Sequence, residues 1–182
     1  MPRYAAFLRG INLGGRRLKM DELRRHFEAV DVENVSTFIA SGNVVFDYAR
    51  FDTAHLELEA ERHLHDSLGF STEVFVRSLD ALRDLAEREA FADTRGDGFN
   101  LHVIFLREPP ADAAAEALRA LEGDDDRFQV FGREVVWFRR GRLTDAPIST
   151  RQIEGALGGA ENTMRNLNTV ERLVAKFGTP PR

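Results

Sequence analysis

Val35-Ser-Thr-Phe-Ile-Ala-Ser-Gly-Asn-Val-Val-Phe-Asp-Tyr48 reads as two β-strands, Val35 to Ala40 and Val44 to Tyr48, joined by the tight turn Ser41-Gly42-Asn43. Upstream, residues 4 to 10 form another strand, and Met20, Leu23, Phe27 and Val30 put one apolar face on a helix from about 20 to 31. Downstream, Asp52 can cap a helix whose stripe Leu56, Ala60, Leu64 and Leu68 faces a core, and Glu73 to Arg77 alternates as a strand. The order βαββαβ is that of a split βαβ sandwich. After a helix from about 79 to 90 and a turn-rich joint, Ala92 to Gly98, the pattern restarts. Asn100 to Leu106 is strand-like and Ala111 to Leu121 helical, and Arg127 to Phe131 with Glu134 to Phe138 make a hairpin around Gly132-Arg133. Ser149-Thr-Arg-Gln152 is a capping box for a short helix, and Val170, Leu173, Val174 and Phe177 mark the last one. The expected fold is α+β: two ferredoxin-like subdomains, 1–91 and 99–182, the second lacking a clear final strand.

The 182 residues, 43% apolar, suffice for such a pair. Cysteine is absent, which removes disulfides, thiolate nucleophiles and Cys-based zinc sites. No apolar run reaches the roughly 18 residues of a membrane span, and Arg3 and Arg9 interrupt the N-terminal one, so a cytoplasmic protein without membrane contact is expected. A net charge of −5 argues against a general nucleic-acid-coating role. The charge is uneven: residues 1–26 hold seven Lys/Arg against two Asp/Glu, residues 162–182 hold four against one, and the middle is acidic. That asymmetry is expected if an anion binds at the basic ends. Of the 25 basic side chains only Lys19 and Lys176 are lysine, so Lys19 is a candidate for a compact point charge on a ligand. Lys176 fits a helix C-terminus, where cations are favoured anyway.

Three polar segments carry the functional candidates. Arg9-Gly10-Ile-Asn12-Leu-Gly14-Gly15, between the first strand and first helix, can turn backbone N–H groups towards a phosphate, although its spacing is neither that of a P-loop nor of a dinucleotide fingerprint. In a split βαβ sheet the end of the first strand and the hairpin between the second and third share one edge, which makes Ser41, Gly42 and Asn43 neighbours of that loop. In the third segment Arg165 is placed to fork onto a carboxylate or phosphate, Asn166 and Thr169 flank it, and Asn168 fits a capping box with Glu171. Each candidate has a structural alternative: tight turns for the glycines, an Asx turn for Asn12, an ion pair for Arg165. Ser41 lacks a nucleophile elbow, His63 and His65 point to different faces of one helix, the remaining histidines are isolated, and Arg95-Gly96-Asp97 reads as the turn joining the halves. No catalytic residue, metal or cofactor is assigned.

Arg9-Gly-Ile-Asn-Leu-Gly-Gly15, Met20-x-x-Leu23, Ser41-Gly-Asn-Val-Val-Phe46 and Thr163-Met-Arg-Asn-Leu-Asn-Thr-Val170, in this order, resemble the bacterial family called domain of unknown function 1697. The resemblance implies the two-subdomain ferredoxin-like fold and no established activity. Leu167 departs from it, standing where the family often has an aromatic residue. The leading expectation is a cytoplasmic protein, monomer or homodimer, that binds a phosphate-bearing small molecule or a nucleic-acid end at the Gly-rich loop. The alternatives are a protein-interaction or dimerisation module in which the motifs are folding devices, and RNA recognition on a sheet face through Phe7 and Phe46.

Overall fold

The computed structural model describes residues 1–12, 14, 17–89, 91, 94 and 97–178. Gly15 of the loop, and residues 92, 93, 95 and 96 of the joint, lie outside the described residues. The chain divides into two units, Met1–Arg83 with Leu173–Arg182, and Asp84–Arg172.

The elements of the first unit run β1 (Arg3–Leu8), α1 (Met20–Glu28), β2 (Glu33–Thr37), β3 (Asn43–Asp47), α2 (Thr53–Leu68), β4 (Val74–Ser78) and the start of α3 (Leu79–Ala86). The strand order is β2-β3-β1-β4 with every neighbouring pair antiparallel, so β1 and β2 run parallel with β3 between them. Period-2 alternation sends Tyr4, Ala6, Leu8, Val44, Phe46 and Tyr48 into one core with Leu23 and Phe27 of α1 and Leu56, Ala60 and Leu64 of α2. Asp52 caps α2 by accepting the His55 N–H at 3.0 Å.

Strand β4 lies at a sheet edge, where outward N–H groups lack a strand partner. Helix α2 supplies partners: Val74 N–H donates to Glu61 Oε1 and Val76 N–H to Glu57 Oε1, each at 2.7 Å. Two residues along a strand advance about 6.7 Å and four along a helix about 6 Å, so an i, i+4 carboxylate pair matches successive outward amides. Buried Arg77 stands 3.7 Å from the Glu57 carboxylate and adds compensating charge.

The second unit runs from the end of α3 through β5 (Phe99–Leu106), α4 (Asp112–Arg119), β6 (Asp126–Phe131), β7 (Glu134–Arg140), a 3₁₀ turn (Leu143–Asp145), α5 (Thr150–Ala156), β8 (Asn162–Asn166) and the start of α6 (Leu167–Phe177). Its sheet, β6-β7-β5-β8, repeats the first strand for strand. The core gathers Ile104, Leu106, Leu118, Phe128, Val135 and Ile153 around Trp137. The Trp137 indole N–H and the Arg139 guanidinium both donate to buried Asp126, at 2.8 and 2.9 Å. The capping box at Ser149 and Gln152 forms as read.

The expectation of a second half without a final strand is corrected by β8, which pairs with β5 over Asn162–Asn166. Its sequence, Asn-Thr-Met-Arg-Asn, has no apolar alternation to announce it. The fourth strand of each sheet enters a helix without a loop: β4 into α3, β8 into α6. The C-terminal end of α6 belongs to the first unit, where the Phe177 carbonyl accepts from Arg3 Nη1 at 3.4 Å and the Gly178 carbonyl from Arg83 Nη2 at 2.8 Å. Both satisfy carbonyls that a helix end leaves open. Among the described residues no helix is long and apolar enough to cross a membrane.

Candidate functional site

At the end of β1 the chain is tied to the β2–β3 hairpin by Leu8 N–H donating to the Gly42 carbonyl at 2.9 Å. The Asn43 side chain closes the hairpin from inside, donating to the Phe38 carbonyl at 3.0 Å and to Ser41 Oγ at 2.7 Å, and it is fully buried. Gly42 sits at φ +71°, and a Cβ there would stand 2.9 Å from Ile11 Cγ2 and 3.3 Å from Leu8 Cβ. Both the dihedral and the close approach require glycine. Asn12 spans the gap: its Oδ1 accepts the Leu18 N–H at 3.0 Å and its Nδ2 donates to the Ala40 carbonyl at 3.4 Å. The predicted neighbours, Gly10, Asn12 and Gly14 of the loop and Ser41, Gly42 and Asn43 of the hairpin, therefore share one edge of the first unit. Arg9 is anchored by its backbone, N–H to Glu73 O at 3.0 Å and carbonyl from Thr72 Oγ1 at 2.6 Å.

Gly10 and Gly14 adopt φ of 61° and 63°, and nothing comes within 4 Å of a Cβ placed at Gly14. Lys19 occupies the N-cap position of α1 without a side-chain cap hydrogen bond and is exposed, as is Arg17. Asp21 and Glu22 stand in the first turn of α1 and partly satisfy its dipole. One residue of this edge was not legible in the sequence: Ile39, β-branched, sits at φ +50° with its side chain 41% exposed. A β-branched residue in the left-handed region is an outlier, at a cost of about 1–3 kcal/mol.

Arg165, Asn166, Asn168 and Thr169 lie in the second unit, on β8 and the first turn of α6. Burial lowers the Arg165 guanidinium to about 10, still a cation at neutral pH. Its Nη1 donates to Thr163 Oγ1 and to the Met164 carbonyl, each at 2.9 Å. Arg77 occupies the equivalent place on β4 and donates likewise to the Val76 carbonyl at 2.8 Å. The capping role read for Asn168 passes to Asn166, whose Oδ1 accepts the Asn168 N–H at 2.9 Å. The strand continues to Asn166, so the helix begins two residues earlier than the Asn168 reading requires.

Two further expectations are corrected. Phe7 and Phe46 are fully buried, so neither offers a face on which a base could stack. The histidines outside α2 are not all isolated: His26 Nδ1 on α1 stands 3.3 Å from His63 Nε2 on α2, with the rings 5.4 Å apart. Burial, then repulsion from His63, lowers the pKa of His26. His65 instead meets Ser71 Oγ at 3.2 Å. His102, buried against Trp137, has its pKa lowered by desolvation. Among the described residues no three metal-ligating side chains cluster.

A family model described as protein of unknown function (DUF1697) matches residues 1–136. A conserved bacterial protein of known structure from Streptococcus pneumoniae is similar over 94% of this chain and 96% of its own, with a TM-score of 0.68 and 23% identity, a likeness of fold. No curated protein matches.

Proposed function

The chain belongs to the DUF1697 family of proteins of unknown function, and from that premise we propose that the loop edge of its first unit binds a phosphate monoester, carried by a small molecule or by a nucleic-acid end. The supporting observation is the uncapped start of α1, set beside a loop and hairpin that Asn12 holds together and flanked by exposed Arg17 and Lys19. A helix start offers N–H donors and partial positive charge to an anion. Asp21 and Glu22 oppose that field, so the basic side chains supply the net attraction and the Ser41 hydroxyl a further hydrogen bond. Asn12 and Asn43 are positioning residues in this reading, and Arg165 is bonded within the second sheet as Arg77 is within the first.

Thermal shift of wild type and Lys19→Met against inorganic phosphate, nucleoside monophosphates and a short 5′-phosphorylated RNA tests the proposal. Ligand at about 100 times Kd adds about 2.7 kcal/mol, a rise of roughly 5–10 °C for a chain of this size, which Lys19→Met abolishes. A flat panel favours the second reading, a protein-interaction surface, which the strained and exposed Ile39 supports.

A further inference from the structure

In the fold, the first and second helices of the ferredoxin-like half lie on the same face of one sheet and share its core. On the half-buried side of that contact His26 and His63 turn ring nitrogens towards each other at 3.3 Å. Two imidazole nitrogens at about 2.0–2.1 Å from one tetrahedral Zn²⁺ stand about 3.3–3.4 Å apart. We infer that His26 Nδ1 and His63 Nε2 form a two-imidazole site for a borderline divalent cation of the Zn²⁺ class, bridging α1 and α2.

One placement supports this site beyond the separation. Glu22 lies one helical turn before His26 on α1, which puts a carboxylate on the same side of the helix as that ring. Arg25 opposes it, but is exposed, where its field is screened. No third ligand group stands in place among the described residues, so water fills the remaining positions of the cation. Imidazole donors select Zn²⁺ or Cu²⁺ over Mg²⁺, which prefers oxygen.

The test is a titration of the full chain, stripped with EDTA, with ZnCl₂ at pH 7.5, observing the imidazole resonances of all five histidines by long-range ¹H–¹⁵N NMR and the heat by calorimetry. The expected result is one equivalent of Zn²⁺, with the signals of His26 Nδ1 and His63 Nε2 alone moving to metal-bound positions. His26→Gln and His63→Gln each weaken binding at least about tenfold, and His65→Gln, Asp112→Asn and Mg²⁺ in place of Zn²⁺ serve as controls. Shifts confined to His55, His65 or His102, affinity unchanged by both substitutions, or no shift at 1 mM ZnCl₂ overturns the inference. The wild-type spectra decide the matter even if a substitution disturbs folding.

Discussion

The β2–β3 hairpin and the β6–β7 hairpin occupy the same place in two sheets of the same strand order. The second turns in two residues, Gly132 and Arg133, with Phe131 opposite Glu134 and open space around a Cβ at Gly132. The first takes residues 38–42, holds Ile39 and Gly42 at positive φ, and is tied to the Gly-rich loop through Asn12. Reversing the chain needs only the shorter device. The extra length, strain and polar clamping of the first corner therefore serve its surroundings, which is why the functional proposal rests there.

Edges differ as well. Glu57, buried with Arg77, accepts an amide of β4, whereas Glu122, exposed, accepts the Phe128 N–H of β6 at 2.8 Å. The largest predicted effect separates these two. Glu57→Ala costs about 3–5 kcal/mol in urea denaturation, because it strands a buried guanidinium and an amide together. Glu122→Ala costs about 1 kcal/mol. Equal losses would show that burial does not distinguish the two edges.

Gly42→Ala is expected to cost about 2–4 kcal/mol, combining positive φ with the clash against Ile11, and Gly132→Ala about 1–2 kcal/mol from φ alone. Equilibrium denaturation of both compares the corners, and a cost at Gly132 matching that at Gly42 would mean the close packing of loop on hairpin contributes nothing. Ile39→Gly should stabilise by about 1 kcal/mol if backbone strain dominates there. The smallest contrast is between the equivalent strand-to-helix junctions. Ser78 accepts the Ala81 N–H at 3.1 Å and Asn166 the Asn168 N–H, so Ser78→Ala and Asn166→Ala each cost about 1 kcal/mol.

Acid reaches both units in one direction. His26 and His102 have lowered folded pKa values, so the unfolded chain binds more protons once pH falls below the ordinary histidine value of about 6.5. The Tm should drop between pH 7.5 and 5, and replacing His26 by Gln should reduce the slope. For Asp47 burial alone would raise the carboxyl, but hydrogen bonds from Arg3 and Asn34 outweigh it and hold it below its ordinary value. Stability from that group is present above the ordinary carboxylate range and is lost only as pH falls through the lowered value.

The repeat explains what could be read from sequence. Val74-Phe-Val-Arg-Ser-Leu79 announces β4 by its apolar residues, while Asn162-Thr-Met-Arg-Asn-Leu167 does the same structural work with the same arginine and leucine in polar dress. Asn162 and Thr163 are buried, but Asn162 finds the Ala160 carbonyl at 3.0 Å, so burial there leaves no hydrophobic signature. Topology made the loop and hairpin neighbours legible, because strand order alone brings Gly10 and Gly42 to one edge. The His26–His63 approach was not, since it depends on how two helices are rotated and slid against each other over the sheet. Ile39 was hidden for another reason: nothing in a β-branched side chain signals left-handed backbone.

The guanidinium hold on the end of α6 has a consequence for biosynthesis. Arg3 reaches a carbonyl 174 residues away and Arg83 one 95 residues away, both inside the first unit. A ribosome adding about 5–20 residues per second needs roughly 5–20 s to translate from Arg83 to Gly178. Through that interval the first half is made without the segment that Arg3 and Arg83 hold, so those contacts are the last of the first unit to form.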